Sequence, residues 1–210
     1  MKFCGFIVNI PLIFLIIFGH SFYELWVPNE NTIIINILAI LTVSCALVQG
    51  IVNPLFNVFT ITNKLKLHST VIVMNGLINT VLVIILLKTT DFGIYAIAGV
   101  SSLTAILRDL FYTPIYSACC LNVSKKSFYP VIIKYILSTT VLMIIFYLFK
   151  LISISDTWLM LIINAGICGV LGLITNYLII LGKDERLVLI EMFKIVIEKY
   201  SIRKMEKIIK

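Results

Sequence analysis

Polar side chains are scarce enough in this chain that those present stand out. Thr42, Cys45, Gln49 and Asn53 recur at three- and four-residue spacing, which on a helix sets them along one face. Asn75 and Asn79 lie one helical turn apart, and Arg108 is followed directly by Asp109. Inside a bundle such carboxamides and hydroxyls either bond neighbouring helices, at about 0.6 to 2 kcal/mol per bond, or wall a hydrated cavity. Arg108 beside Asp109 suits an ion pair or an interfacial anchor, and a guanidinium also suits an anionic substrate.

Bond-breaking chemistry is not spelled out. There is no HExxH, no GxSxG and no glycine-rich phosphate loop ending in Gly-Lys-Ser/Thr, so no catalytic residue and no cofactor is assigned and the chain is not expected to be an enzyme. ATP-driven pumping by this chain alone is excluded on the same ground. The five cysteines (Cys4, Cys45, Cys119, Cys120, Cys168) are odd in number and lack a CxxC spacing, and only two histidines accompany them. That argues against a disulfide framework and against any metal site. The adjacent Cys119 and Cys120 read as ordinary thiols in preference to lipidated ones.

These residues sit in a chain of unusual composition. It is 60% hydrophobic and 13% charged over 210 residues, with a mean hydropathy of +1.10, far from the soluble mix. A polytopic membrane protein follows, with the lipid bilayer as its first partner. In lipid the backbone must satisfy its own hydrogen bonds, and uninterrupted apolar runs without strand alternation select helices over a barrel.

Six runs emerge. The first, 3–19, follows Lys2 and is retained, because the bulky aromatic stretch 20–26 that follows it offers no signal-cleavage site. The second covers 32–52 and is closed by Pro54. The third and fourth lie within 75–107 as a hairpin joined around Thr90, Asp91 and Gly93, and the fourth carries small residues four apart, Ala98 with Ser102 and Ser101 with Ala105, suited to close helix packing. The longest internal loop is expected over 112–130, before a fifth run at 131–149 and a sixth from Trp158 to Leu181. Gly166, Gly169 and Gly172 in the sixth run read as a helix-packing face.

The tail, 183–210, forms a second unit beside the 1–182 bundle. Ile190, Phe193, Ile197, Tyr200, Met205 and Ile208 approximate one face, with Lys194, Glu198, Arg203, Lys204 and Lys207 on the rest. It is expected to be an amphipathic basic helix on the cytoplasmic leaflet. With both termini cytoplasmic, fifteen of the 17 basic residues fall inside and only Lys88 and Lys150 outside. The net charge of +7 is thereby explained by one membrane face, with no nucleic-acid partner.

With the runs in place, a resemblance can be seen. Segments 18–31 (FGHSFYELWVPNEN), 52–69 (VNPLFNVFTITNKLKLHS), 75–102 (NGLINTVLVIILLKTTDFGIYAIAGVSS) and 126–135 (KSFYPVIIKY) resemble the carboxy-terminal part of bacterial polysaccharide flippases. These are the O-antigen and capsule repeat-unit translocases of the multidrug/oligosaccharidyl-lipid/polysaccharide exporter superfamily. The asparagine-bearing helix, the short turn, and Gly93, Ala96 and Ala98 opening the next helix carry the best of it. The resemblance implies two lobes, about 12 to 14 helices in all, rocking about a central cavity, of which this chain is similar to most of the carboxy-terminal lobe, short of that lobe's first helix. It further implies a place in the bacterial cytoplasmic membrane, and an undecaprenyl-diphosphate-linked glycan as substrate. It also implies a partner for the missing amino-terminal lobe, either a separate chain or a second copy. Arg108 is then the candidate for the diphosphate, and Gln49, Asn53, Asn75 and Asn79 for the sugars. Two alternatives remain: a non-transporting scaffold or accessory subunit, and a fragment of an ion-coupled drug exporter. The latter needs a buried carboxylate in mid-membrane, and none is expected, since Asp109 is placed at the cytoplasmic end of its helix.

Overall fold

The computed structural model describes residues 1–182, 185–188 and 191; apart from those last five, the expected amphipathic tail lies outside them. The described residues form helices and turns, and six helical spans are long and apolar enough to cross a membrane: Lys2–Trp26, Thr32–Ile61, Leu65–Thr89, Ile94–Cys120, Tyr129–Ile152 and Trp158–Ile179. We label the helices α1 (Lys2–Trp26), α2 (Thr32–Val52), α3 (Phe56–Ile61), α4 (Leu65–Thr89), α5 (Ile94–Leu107), α6 (Thr113–Cys120), α7 (Tyr129–Ile152) and α8 (Trp158–Ile179).

The spans outrun the apolar runs: the first reaches Trp26 instead of residue 19 and the third starts at Leu65, ten residues before Asn75, and the second and fourth are extended through irregular turns. Pro54 does not close the second. It stands in the first turn of a 3₁₀ segment, Asn53–Leu55, that joins α2 to α3, where a missing N–H is tolerated and the tighter turn absorbs the ring. Likewise the fourth span does not end at Arg108. It runs through a π-helical turn, Arg108–Tyr112, into α6, so the loop expected over 112–130 shrinks to residues 121–128. Both additions extend spans towards the end of the bundle that carries Lys2.

The centre of the bundle is α1, which packs against α2, α7 and α8. Its Ile10, Ile13 and Phe18 meet Leu47, Leu142, Phe146 and Cys168 in one buried cluster. Close approach is built in: a Cβ on Gly50 would stand 2.6 Å from the Val8 side chain, and one on Gly172 2.8 Å from Ile10. A buried carboxamide pair binds three of these helices. Asn176 donates to Asn9 Oδ1 (2.7 Å) and to the Phe6 carbonyl (2.7 Å), and accepts from Asn9 Nδ2 (3.2 Å) and Ser138 Oγ (2.6 Å). With every polar atom of the pair engaged, its desolvation is offset.

The third span is peripheral. α4 packs on α5, with its start against α3, and its remaining surface is apolar and open, as lipid contact requires. The turn between them depends on Gly93, whose φ of +52° is a conformation that side chains disfavour. Ser102 fixes α5 to α2 by donating to the Leu41 carbonyl at 2.7 Å.

Candidate functional site

On the fourth span Thr104, Arg108, Tyr112 and Tyr116 follow one another at four-residue spacing. On a regular α-helix each step of four overshoots a full turn by about 40°. The π-turn takes up part of this drift, so the stripe stays on one side: Thr113 N–H bonds back to the Arg108 carbonyl, five residues away. Pro114 follows at the start of α6 and leaves the Leu110 carbonyl without its ordinary backbone donor. The Tyr129 hydroxyl supplies one at 3.2 Å.

The turn sets Arg108 against its neighbour in the chain. Its Nε donates to Asp109 Oδ1 at 2.9 Å and an Nη to Oδ2 at 3.0 Å, a two-pronged, charge-assisted pair. Asp109 is 0% exposed and also receives the Thr113 hydroxyl at 3.4 Å. The Arg108 side chain keeps 16% exposure and reaches a groove of about 390 Å³ between α4 and the fourth span. Two of the five guanidinium N–H groups are spent on Asp109, leaving three for a ligand. Around it the groove is lined by Asn75, Thr104 and Tyr112 and by apolar residues that include Ile78 and Leu82. Among the described residues no three of His, Cys, Asp and Glu come together, so the groove offers a guanidinium and neutral hydrogen-bonding groups in an apolar trough.

Of the five residues read from the sequence as substrate candidates, Arg108 and Asn75 share this groove. Asn79 lies one turn on, in the seam of the hairpin, donating to Ser101 Oγ at 3.2 Å and facing the Thr104 hydroxyl at 3.5 Å. Gln49 and Asn53 line neither this groove nor the smaller cleft between α2 and α7. In the packing set, Ser102 bonds to α2, Ala98 is partly buried beside it, and Gly172 lies against Ile10. Gly166 and Gly169 are a correction: a Cβ on either would meet nothing within 4 Å, so they do not mediate packing among the described residues. A second correction concerns Asp109. It is a buried carboxylate eleven residues short of the end of its span at Cys120, because the helix continues where the sequence suggests a loop.

Sequence reading also missed an aromatic cluster behind the groove. His68, only 7% exposed, lies 4.4 Å from Phe59, 5.1 Å from Phe56 and 6.1 Å from Tyr112, ring centre to ring centre. Its Nδ1 and the Tyr112 hydroxyl are buried without a hydrogen-bond partner among the described residues. The four-residue stripe ending in two tyrosines was the available signal.

No protein-family profile matches the chain, and no solved structure does. It is similar to a curated protein of Bacillus subtilis (strain 168) named uncharacterized membrane protein EpsK, at 23% identity over 194 residues, which cover 90% of this chain and 37% of that protein. The chain thus spans little more than a third of that relative's length. Fold and comparison together make this a multi-pass helical membrane protein with a distant membrane-protein relative.

Proposed function

We propose that this chain is part of a flippase that moves a polyprenyl-diphosphate-linked oligosaccharide across the bacterial cytoplasmic membrane for surface polysaccharide synthesis. The missing helices would come from an amino-terminal lobe or a second copy. The observation that carries the reading is the arginine offered from within a membrane span to an apolar groove beside Asn75 and Thr104. A polyprenyl tail can stay in lipid, but diphosphate and sugars need cations and hydrogen-bonding groups along their path. Arg108 can serve a diphosphate through its three remaining N–H groups while Asp109 holds its plane. Asn75 and Thr104 offer neutral partners of the kind that sugar hydroxyls use.

The test is export of surface polymer in cells where it depends on this chain. Arg108→Gln/Asp109→Asn, which removes the cation without stranding the acid, should reduce export at least tenfold at unchanged protein level. Undiminished export would overturn the role of Arg108. One observation favours a second reading, an ion-coupled exporter of cations: the buried Asp109 carboxylate. A cationic substrate would have to displace the guanidinium that already holds both carboxylate oxygens, and for that reason the anionic substrate is preferred.

A further inference from the structure

The Arg108 groove has a neighbour. Along α4 towards its first residue the groove is succeeded by a recess of about 380 Å³ lined by Lys64, Lys66, Leu67, Thr70 and Tyr116. Its lining holds two cations and no carboxylate. Tyr116 donates to the Lys64 backbone carbonyl at 3.1 Å, which joins the backbone at the start of α4 to the fourth span. Exposed Ile61, Leu65 and Leu67 alternate with them, the pattern of a segment whose apolar residues enter lipid while its ammonium groups stay at phosphate depth.

Groove and recess are consecutive. Val71 lines one and Thr70 the other, and Tyr112 lines one and Tyr116 the other. What divides them is the Tyr112–Tyr116 stack, with ring centres 5.4 Å apart and planes within 15°. Against it lies His68, whose Nδ1, like the Tyr112 hydroxyl, is sealed without a partner. A buried polar atom left unpaired costs about 1 to 3 kcal/mol. Two of them at one partition leave hydrogen-bonding capacity that a polar ligand there can use.

We propose that the recess is a second anion site, one that receives the phosphate of a membrane amphiphile, with the Tyr112–Tyr116 stack as the partition between it and the Arg108 groove. The passage from recess to groove rests on the translocation reading above; occupancy of the recess does not.

The experiment uses the full chain in neutral phosphatidylcholine nanodiscs with farnesyl monophosphate as the probe, farnesol as its uncharged control and inorganic phosphate as competitor. Farnesyl monophosphate should bind at least tenfold more tightly than farnesol. Lys64→Ala/Lys66→Ala should weaken it by about thirtyfold, near fivefold for each exposed cation at phosphate depth. In the Arg108→Gln/Asp109→Asn background, which removes the groove's cation, the two lysine substitutions should still weaken binding by about thirtyfold. Unaltered affinity in the lysine variant, or equal binding of farnesol, overturns the site. Inorganic phosphate binding as tightly as the amphiphile overturns its assignment to a lipid. Phosphatidylglycerol added to the disc identifies the natural source: displacement of the probe points to ordinary phospholipid and persistence to a polyprenyl chain, and both keep the site. If the lysine variant loses probe binding while Arg108→Gln/Asp109→Asn still exports polymer, the recess stands and the groove reading fails.

Discussion

Removing the Arg108 charge alone strands Asp109. In Arg108→Gln the fully buried carboxylate loses bonds of 2.9 and 3.0 Å and keeps the 3.4 Å contact with Thr113. Breaking one side of a buried pair costs about 3 to 5 kcal/mol. The single variant should therefore lose about 3 to 5 kcal/mol. The double variant Arg108→Gln/Asp109→Asn replaces the pair with two neutral groups and should lose less than about 1.5 kcal/mol, since neither charge is left buried. Denaturation in mixed micelles, followed by helix content, compares wild type, single and double variant. If the single variant matches the double, the ion pair is not the buried, coupled unit described here.

Three further outcomes follow from the packing. Asn176→Ala removes four hydrogen bonds, and at about 0.6 kcal/mol per bond within a membrane bundle the loss is about 2 to 3 kcal/mol; a double-mutant cycle with Asn9→Ala should show strong non-additivity, and additive losses would dissolve the network. Gly172→Val drives a Cβ to within 2.8 Å of Ile10 and should cost about 1 to 3 kcal/mol, whereas Gly166→Val, with open space around it, should shift the same denaturation midpoint negligibly. Glu185 is held below the usual carboxylate range, first by its hydrogen bond from Lys2 and then by the Gly182 N–H, at 2.7 Å. A lowered folded value means a contribution present at neutral pH and lost as pH falls through that value, so wild type and Glu185→Gln should differ in stability at pH 6 and the difference should shrink steadily as the pH is lowered.

How far the sequence could be read depended on whether a residue's effect is local. Apolar runs needed for crossing lipid are local, and all six spans were legible. So was the turn at Gly93, whose role is set by its own φ. Span ends were less so, because Pro54 reads as a stop although it occupies a first helical turn where proline fits, and the stretch from Tyr112 reads as a loop although the helix continues to Cys120. That misreading moved Asp109 from the interior of a helix to its end and hid the buried carboxylate. The carboxamides show the other limit. Asn75, Asn79 and Asn176 are the same residue on similar helices, yet one lines the groove, one closes a hairpin seam and one knits α8 to α1 and α7. Which occurs depends on what lies opposite, and spacing along one helix does not contain that.

Several interior polar groups are satisfied where α1, α7 and α8 meet. Around α1, α7 and α8 the interior carboxamides are paired: Asn9 with Asn176, and Asn164 with the Ile154 carbonyl at 3.0 Å. Lys150 binds the Ile17 carbonyl at 2.6 Å in the same region. The closure is not complete there, since Asn36 Oδ1, facing Gly19 of α1, and Ser153 Oγ, at the end of α7, are buried without a partner among the described residues. Across α4 and the fourth span the account does not close, since His68 and Tyr112 carry unpaired polar atoms and Arg108 has donors to spare. α4 leans on α5 and the start of α3, and a 3₁₀ segment, a π-turn and Gly93 interrupt the regular helix on this side. What sets this side apart is Arg108, a cation held in plane by a buried carboxylate and open to a groove, which is the arrangement an anion can use.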